Sequence, residues 1–217
     1  MKHFTNTNNP IDFPKSVDDI NTFIDGYADQ LENMSDLEWD NLGKSMLKHA
    51  KGNLLDLAEA GEFDIIVQGC NCFNTMGGGI AREIRERYPY AAHIDNETTR
   101  GDYMKLGTWT ESEAGDYFDT VTYSRNNKLQ FGDPKRFTII NAYTQYNMSQ
   151  GTDVFEYVAF ELILLKLIHV YGDKRIGLPY IGMGLAGGDK DAIISMIEAF
   201  AYGVAAKGGS VTLVEFA

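Results

Sequence analysis

The chain is poor in the residues that build metal and disulfide sites. It has two cysteines, Cys70 and Cys72, and four histidines, His3, His49, His93 and His169. The cysteines are too close for an easy disulfide and too few for a zinc site, and the histidines lack metal-ligand spacing. No metal and no cofactor are expected. Basic residues are also short: 19 Lys and Arg stand against 31 Asp and Glu, for a net charge of −12. Such a surface repels a phosphate backbone and argues against a nucleic-acid partner. Long apolar runs are missing too. The longest candidate, 158–170, is interrupted by Glu161, Lys166 and His169, and falls short of the roughly 20 residues that span a bilayer. No membrane partner is expected. The opening Met-Lys-His-Phe-Thr-Asn lacks the apolar stretch of a secretory signal, so the expected location is the cytoplasm.

What is present fits one α/β domain with a full core: 217 residues, 44% hydrophobic and 23% charged. Residues 1–15 read as an irregular arm and 16–49 as two helices. Ser16 suits an N-cap for the first, with Val17, Ile20, Phe23, Ile24, Tyr27 and Leu31 on one face. Ser35 and Glu38 resemble a capping box for the second, which carries Leu37, Leu42, Met46 and Leu47. This extension reads as a helical hairpin packed on the main domain, with a separate partner-binding role as the alternative and no partner identified. The expected division is 1–50 for the arm and helical extension and 51–217 for the main domain.

Beyond Lys51, candidate strands are Phe63–Gln68, Lys105–Glu111, Tyr117–Ser124, Phe137–Tyr143, Arg175–Pro179 and Ser210–Glu215. Candidate helices are Gly79–Tyr88, Asp153–Tyr171 and Lys190–Lys207. Strand–helix alternation predicts a three-layer α/β/α sandwich, and neighbouring strand signals in 103–124 predict a mixed sheet.

Two segments carry the chemistry. In the first, an apolar strand runs into Gly-Cys-Asn-Cys-Phe-Asn-Thr-Met-Gly-Gly-Gly-Ile, and Gly77, Gly78 and Gly79 stand where a helix begins. Residues without a Cβ admit positive φ and close ligand approach, and a helix entrance offers free N–H groups and the positive end of a dipole. That combination suits phosphate or pyrophosphate. The second segment, Pro-Tyr-Ile-Gly-Met-Gly-Leu-Ala-Gly-Gly-Asp, repeats the arrangement with Gly182, Gly184, Gly187 and Gly188 ahead of a long helix. Both follow strands, so both should lie at the carboxyl edge of the sheet and grip a diphosphate between them. The second lacks the Gly-Lys-Ser/Thr of a P-loop, and the contiguous glycines of the first do not make a dinucleotide-fold fingerprint.

At these residues, together with Lys51-Gly52-Asn53-Leu54-Leu55 and Asn141-Ala142-Tyr143-Thr144-Gln145, the chain resembles the macro domain family of ADP-ribose-binding modules. The resemblance covers 51–217, about three quarters of the chain. It comes nearest to the branch of ADP-ribose-1″-phosphate phosphatases, through Gly-Cys-Asn-Cys and Ala-Gly-Gly-Asp. It implies a six- or seven-stranded mixed sheet with the ligand in a cleft across its top. Position by position, it implies that Asn71 holds the distal ribose hydroxyls. Gly77, Gly78, Gly79 and Ile80 would surround that ribose and the diphosphate, and Gly182, Met183, Gly184, Leu185, Ala186 and Gly187 would bind the diphosphate. Asn53, followed by Leu54, stands where many relatives place an aspartate for the adenine amino group; an asparagine oxygen also accepts, without charge. The DNA-directed hydrolase branch uses a lysine where this chain has Gln145 and an acid where it has Ala186, so that branch's lysine chemistry is not expected.

Asp189 is the candidate acid or base for a hydrolytic water, with helix N-capping as the competing reading. Asn71 is the other residue assigned to the catalytic group, against a local turn contact. Cys72 is a ligand-contact candidate, although with no base or cation adjacent a small buried side chain is the favoured reading. Gln68 lies near a histidine position of phosphatase-like relatives and cannot transfer protons. Tyr143, Phe73, Tyr180 and Met183 are candidates for the cleft wall, against ordinary core. His169 reads as a packed residue, and Arg82, Arg85 and Arg87 as a solvated helix face, with Arg82 near enough to the first loop to help an anion. The expected ligand is ADP-ribose or ADP-ribose-1″-phosphate. The leading function is phosphate release from the latter. The alternatives are a non-catalytic ADP-ribose or ADP-ribosyl-protein binder, or a protein ADP-ribosyl hydrolase.

Overall fold

The computed structural model describes residues 43–114, 136–148 and 154–217. Of the two helices expected over 16–49, the part up to residue 42 lies outside the described residues, as does the strand expected at Tyr117–Ser124, while residues 43–46 are helical. Strands β1 (Leu47–Lys51), β2 (Ile65–Asn71), β3 (Trp109–Glu113), β4 (Thr138–Gln145), β5 (Arg175–Pro179) and β6 (Ser210–Glu215) form one sheet in the order β1-β6-β5-β2-β4-β3. Among the described residues only β3, against β4, is antiparallel and the other strand pairs are parallel, so the sheet is mixed as predicted.

Helices cover both faces: α1 (Leu54–Glu59), α2 (Gly79–Arg87) and α3 (Pro89–Asn96) on one, α4 (Tyr157–Tyr171) and α5 (Lys190–Ala206) on the other. The strand period of two sorts the core. Ile65, Val67, Ile140, Ala142, Ile176, Leu178, Val211 and Leu213 pack with Phe160, Ile163, Leu167, Ile193, Ile197 and Phe200 of α4 and α5. The alternate residues Ile66, Ile139 and Val214 pack with Leu54, Leu55, Ala58 and Ile84. A parallel sheet buried on both faces needs such near-continuous apolar strands.

Three expectations change. Residues 47–49, read as the end of a helix, belong to strand β1, with Leu47 opposite Val211 of β6. Pairing with a strand distant in sequence outweighs the local helical spacing. The strand predicted from Lys105 begins instead at Trp109, and Tyr103–Lys105 is a 3₁₀ turn. Helices α1 and α3 carried too few turns for their periodicity to stand out, and α3 starts with Pro89 at its first position. His169, expected to be packed, is on the exposed side of α4.

Gly177 in β5 brings α1 close to the sheet. A Cβ there would lie 2.6 Å from the Phe63 ring and 2.9 Å from Leu54 Cδ1. Gly177→Ala is expected to destabilise the fold by about 1–3 kcal/mol, read as a lower urea midpoint with an unchanged slope.

Candidate ligand-binding site

Strands β2 and β5 are parallel neighbours, with Ile65 opposite Ile176 and Ile66 opposite Gly177. The loops that follow them therefore leave the same edge of the sheet side by side. They meet: a Cβ placed on Gly78 would lie 3.8 Å from Leu185 Cδ1. At the crest of the first loop Gly77, Gly78 and Gly79 are all exposed, and Gly79, at φ 54°, is in the left-handed region. Among the described residues the N–H groups of Gly77 through Ile80 find no acceptor, and neither do those of Gly184, Leu185 and Ala186. Unpaired donors at the mouth of α2 and in the loop ahead of α5 are what an anion needs.

The first loop is held from behind. At the end of β2 the register with β4 slips between Cys70 and Asn71, a bulge that re-aims the chain. The Asn71 Oδ1 accepts from Phe73 N at 2.9 Å and from Thr75 Oγ1 at 2.9 Å, while its Nδ2 donates to Thr75 O at 3.1 Å. Asn71 thus shapes the loop with both ends of its amide. Asn74, at φ 57°, donates from Nδ2 to the carbonyl of Asp95 and to Thr98 Oγ1. The buried Lys105 donates from Nζ to Asn74 Oδ1 at 2.9 Å and to the Cys72 carbonyl at 3.2 Å. Behind it Asp95 accepts from Tyr143 Oη at 2.6 Å, with Lys105 Nζ 3.7 Å away and 4.2 Å from the Tyr143 ring centroid. Burial pushes the Asp95 carboxyl up and the Lys105 ammonium down, and each opposes the shift of the other. Asn74, Asp95 and Lys105 escaped sequence reading, because their partners are distant in the chain and no motif joins them.

The second loop is packed from below. Gly182 sits at φ 78°, where a Cβ would collide with the Phe155 ring. Gly188 N donates to Gly182 O and Gly187 N to Gly184 O, closing the bend. The Ala186 side chain is buried, while Leu185 is 73% exposed at the rim. Asp189 caps α5, its Oδ1 accepting from Ala192 N at 2.8 Å, and its own N–H donates to Tyr157 Oη. For its Oδ2 there is no partner among the described residues.

Several predicted contacts do not reach the cleft through their side chains. Tyr143 is 1% exposed and spends its hydroxyl on Asp95. Cys72 and Leu54 are buried in the core, and the Cys72 thiol is pushed up to about 11, chiefly by burial. Gln68 is buried within the sheet and donates to Asn141 Oδ1 at 2.7 Å. Asn53 caps α1, accepting from Leu55 N at 2.8 Å and donating to Glu83 Oε1. Gln145 is half-buried at the carboxyl end of β4, donating to the Asn147 carbonyl. Ile80 and Met183 are partly buried at the two loops.

Solved structures with the same layering match this one. The macrodomain of Mycobacterium tuberculosis DarG superposes with a TM-score of 0.54 at 20% identity, covering 78% of this chain and 97% of that one. The Trypanosoma brucei macrodomain, solved in complex with ADP-ribose, gives 0.52 at 13% identity over 79% of this chain and 63% of that one. The chain has the macrodomain fold. No profile of a known protein family matches this chain. An uncharacterised 17.5 kDa protein of Enterobacteria phage T4 is 29% identical to it over 161 residues, 71% of this chain and 90% of that protein.

Two measurements check the anchoring of the first loop. Lys105→Met leaves Asp95 without its cation and Asn74 without its donor, and is expected to cost on the order of 3 kcal/mol in chemical denaturation. Native protein treated with a thiol reagent at pH 8 is expected to show no fast-reacting group, because Cys70 and Cys72 are both buried and shifted upward. The denatured chain should titrate two.

Proposed function

We propose that this macrodomain binds ADP-ribose in the trough between its two glycine loops and releases phosphate from ADP-ribose-1″-phosphate. The observation that carries the reading is the meeting of the loops, Gly78 against Leu185, with unpaired N–H groups on both sides. Main-chain donors suit a diphosphate here, because the net charge of −12 gives no long-range attraction. In hydrolysis, a water oxygen bonds to the phosphorus as the bond from phosphorus to the ribose oxygen breaks. The water proton passes to the free oxygen of Asp189, and the ribose oxygen leaves as a hydroxyl by taking a proton from a second solvent water, whose charge is balanced when Asp189 releases its proton to solvent. Loop N–H groups stabilise the phosphoryl oxygens.

A second reading, a binder without turnover, draws on the ties of the two assigned residues: Asp189 caps a helix and Asn71 braces its own loop. By the family resemblance, Gln145 and Ala186 stand where the DNA-directed branch has its lysine and acid, so that chemistry would have no group here.

Asp189→Asn separates capping from catalysis, because asparagine caps as well as aspartate. Calorimetry is expected to show ADP-ribose binding by both proteins, and phosphate release is expected from the unsubstituted chain and to fall at least a hundredfold in Asp189→Asn. Binding without phosphate release by the unsubstituted chain would establish the second reading, and no binding would overturn both.

A further inference from the structure

Behind the crest of the first loop lies an open cavity of about 340 Å³, lined among others by Asn74, Thr75, Gly77, Arg85, Asp95 and Met148. Gly77 belongs both to this wall and to the row of exposed glycines at the trough, so the two spaces adjoin.

The charges around the cavity are unevenly matched. Asp95 faces Lys105 at 3.7 Å and accepts from Tyr143 Oη, so that wall is compensated. Of the α2 arginines, Arg82 meets Glu86 at 3.9 Å, while Arg87 meets Asp56 at 2.6 Å, Glu83 at 2.7 Å and Glu59 at 3.3 Å. Arg85, between them, has no partner among the described residues. Its neighbours one turn away on the helix are Ala81, Arg82, Tyr88 and Pro89, none of them an acid. In a protein with 31 acidic residues, a guanidinium left free at the wall of a cavity is an exception to the overall charge. Its planar donors suit phosphate geometry.

We propose that this cavity is the subsite for a phosphate monoester carried on the distal ribose, and that Arg85 is the residue that discriminates the phosphorylated ligand from ADP-ribose. The assignment rests on the reading of the trough given above. It departs from the expectation that Arg85 only solvates a helix face. The diphosphate would be held by main chain alone, and the terminal phosphate by Arg85 together with the N–H groups of the first-loop crest that borders the cavity. One substitution would then change preference without touching the trough.

The test is calorimetry on the full chain with ADP-ribose and with ADP-ribose-1″-phosphate, in an Asp189→Asn background to suppress turnover. Adding Arg85→Gln is expected to weaken the phosphorylated ligand about tenfold and to leave ADP-ribose within twofold, while Arg85→Lys keeps part of the preference. Equal weakening of both ligands, or no change in either, overturns the assignment and leaves the trough standing. Failure of ADP-ribose to bind the unsubstituted chain overturns the reading of the trough and this assignment with it.

Discussion

The site depends on one pairing, the parallel contact between β2 and β5. It is short, Ile65 with Ile176 and Ile66 with Gly177, yet it decides where two glycine-rich segments more than 100 residues apart emerge. Parallel strands deliver their following loops to one edge, and crossover helices then carry the chain back. The pairing is supported on both faces. Ile65 and Ile176 sit in the layer beneath α4 and α5, and the missing side chain at Gly177 admits Phe63 and Leu54 on the other side. The loops can be rich in glycine and still ordered because the packing around them is rigid. Phe155 supports the second from below, and Lys105 and Asn74 brace the first from behind.

The electrostatics of the molecule act at two ranges. At long range the acidic surface offers nothing to an anion. At short range, N–H groups of the two glycine loops and one guanidinium face the space where a phosphorylated ligand would lie. A net negative charge is compatible with such a site because dipoles act within the first turn, where screening by bulk solvent is least. A net charge of −12 gives no long-range attraction to a polyanion either. The buried Asp95–Lys105 pair belongs to neither role. It is expensive to bury, and it holds a left-handed asparagine and a loop carbonyl in place.

The glycine loops, the helices that follow them and the strands that precede them were legible in the sequence because each rests on local chemistry. Gly77–Gly79 and Gly182–Gly188 announce backbone freedom, and the apolar runs before them announce buried strands. Edge strand β1 was not legible, since its spacing fits a helix until β6 stands beside it. Nor were the side chains that brace the first loop. Asn74 and Lys105 are 31 residues apart and Tyr143 and Asp95 are 48 apart, and nothing in a local pattern encodes such a meeting.

The sequence by itself determined that the main chain would be bare and flexible at two helix entrances, because a residue without a Cβ has that freedom wherever it is placed. Only the tertiary structure decided which polar side chains remained available there. Asn71, Asn53, Tyr143 and Asp189 all carry the right atoms, and each bonds within the protein, while Arg85, read as plain surface, is left free beside a cavity. A residue's chemistry is local, but whether a donor or acceptor is already spent depends on neighbours that only folding brings together.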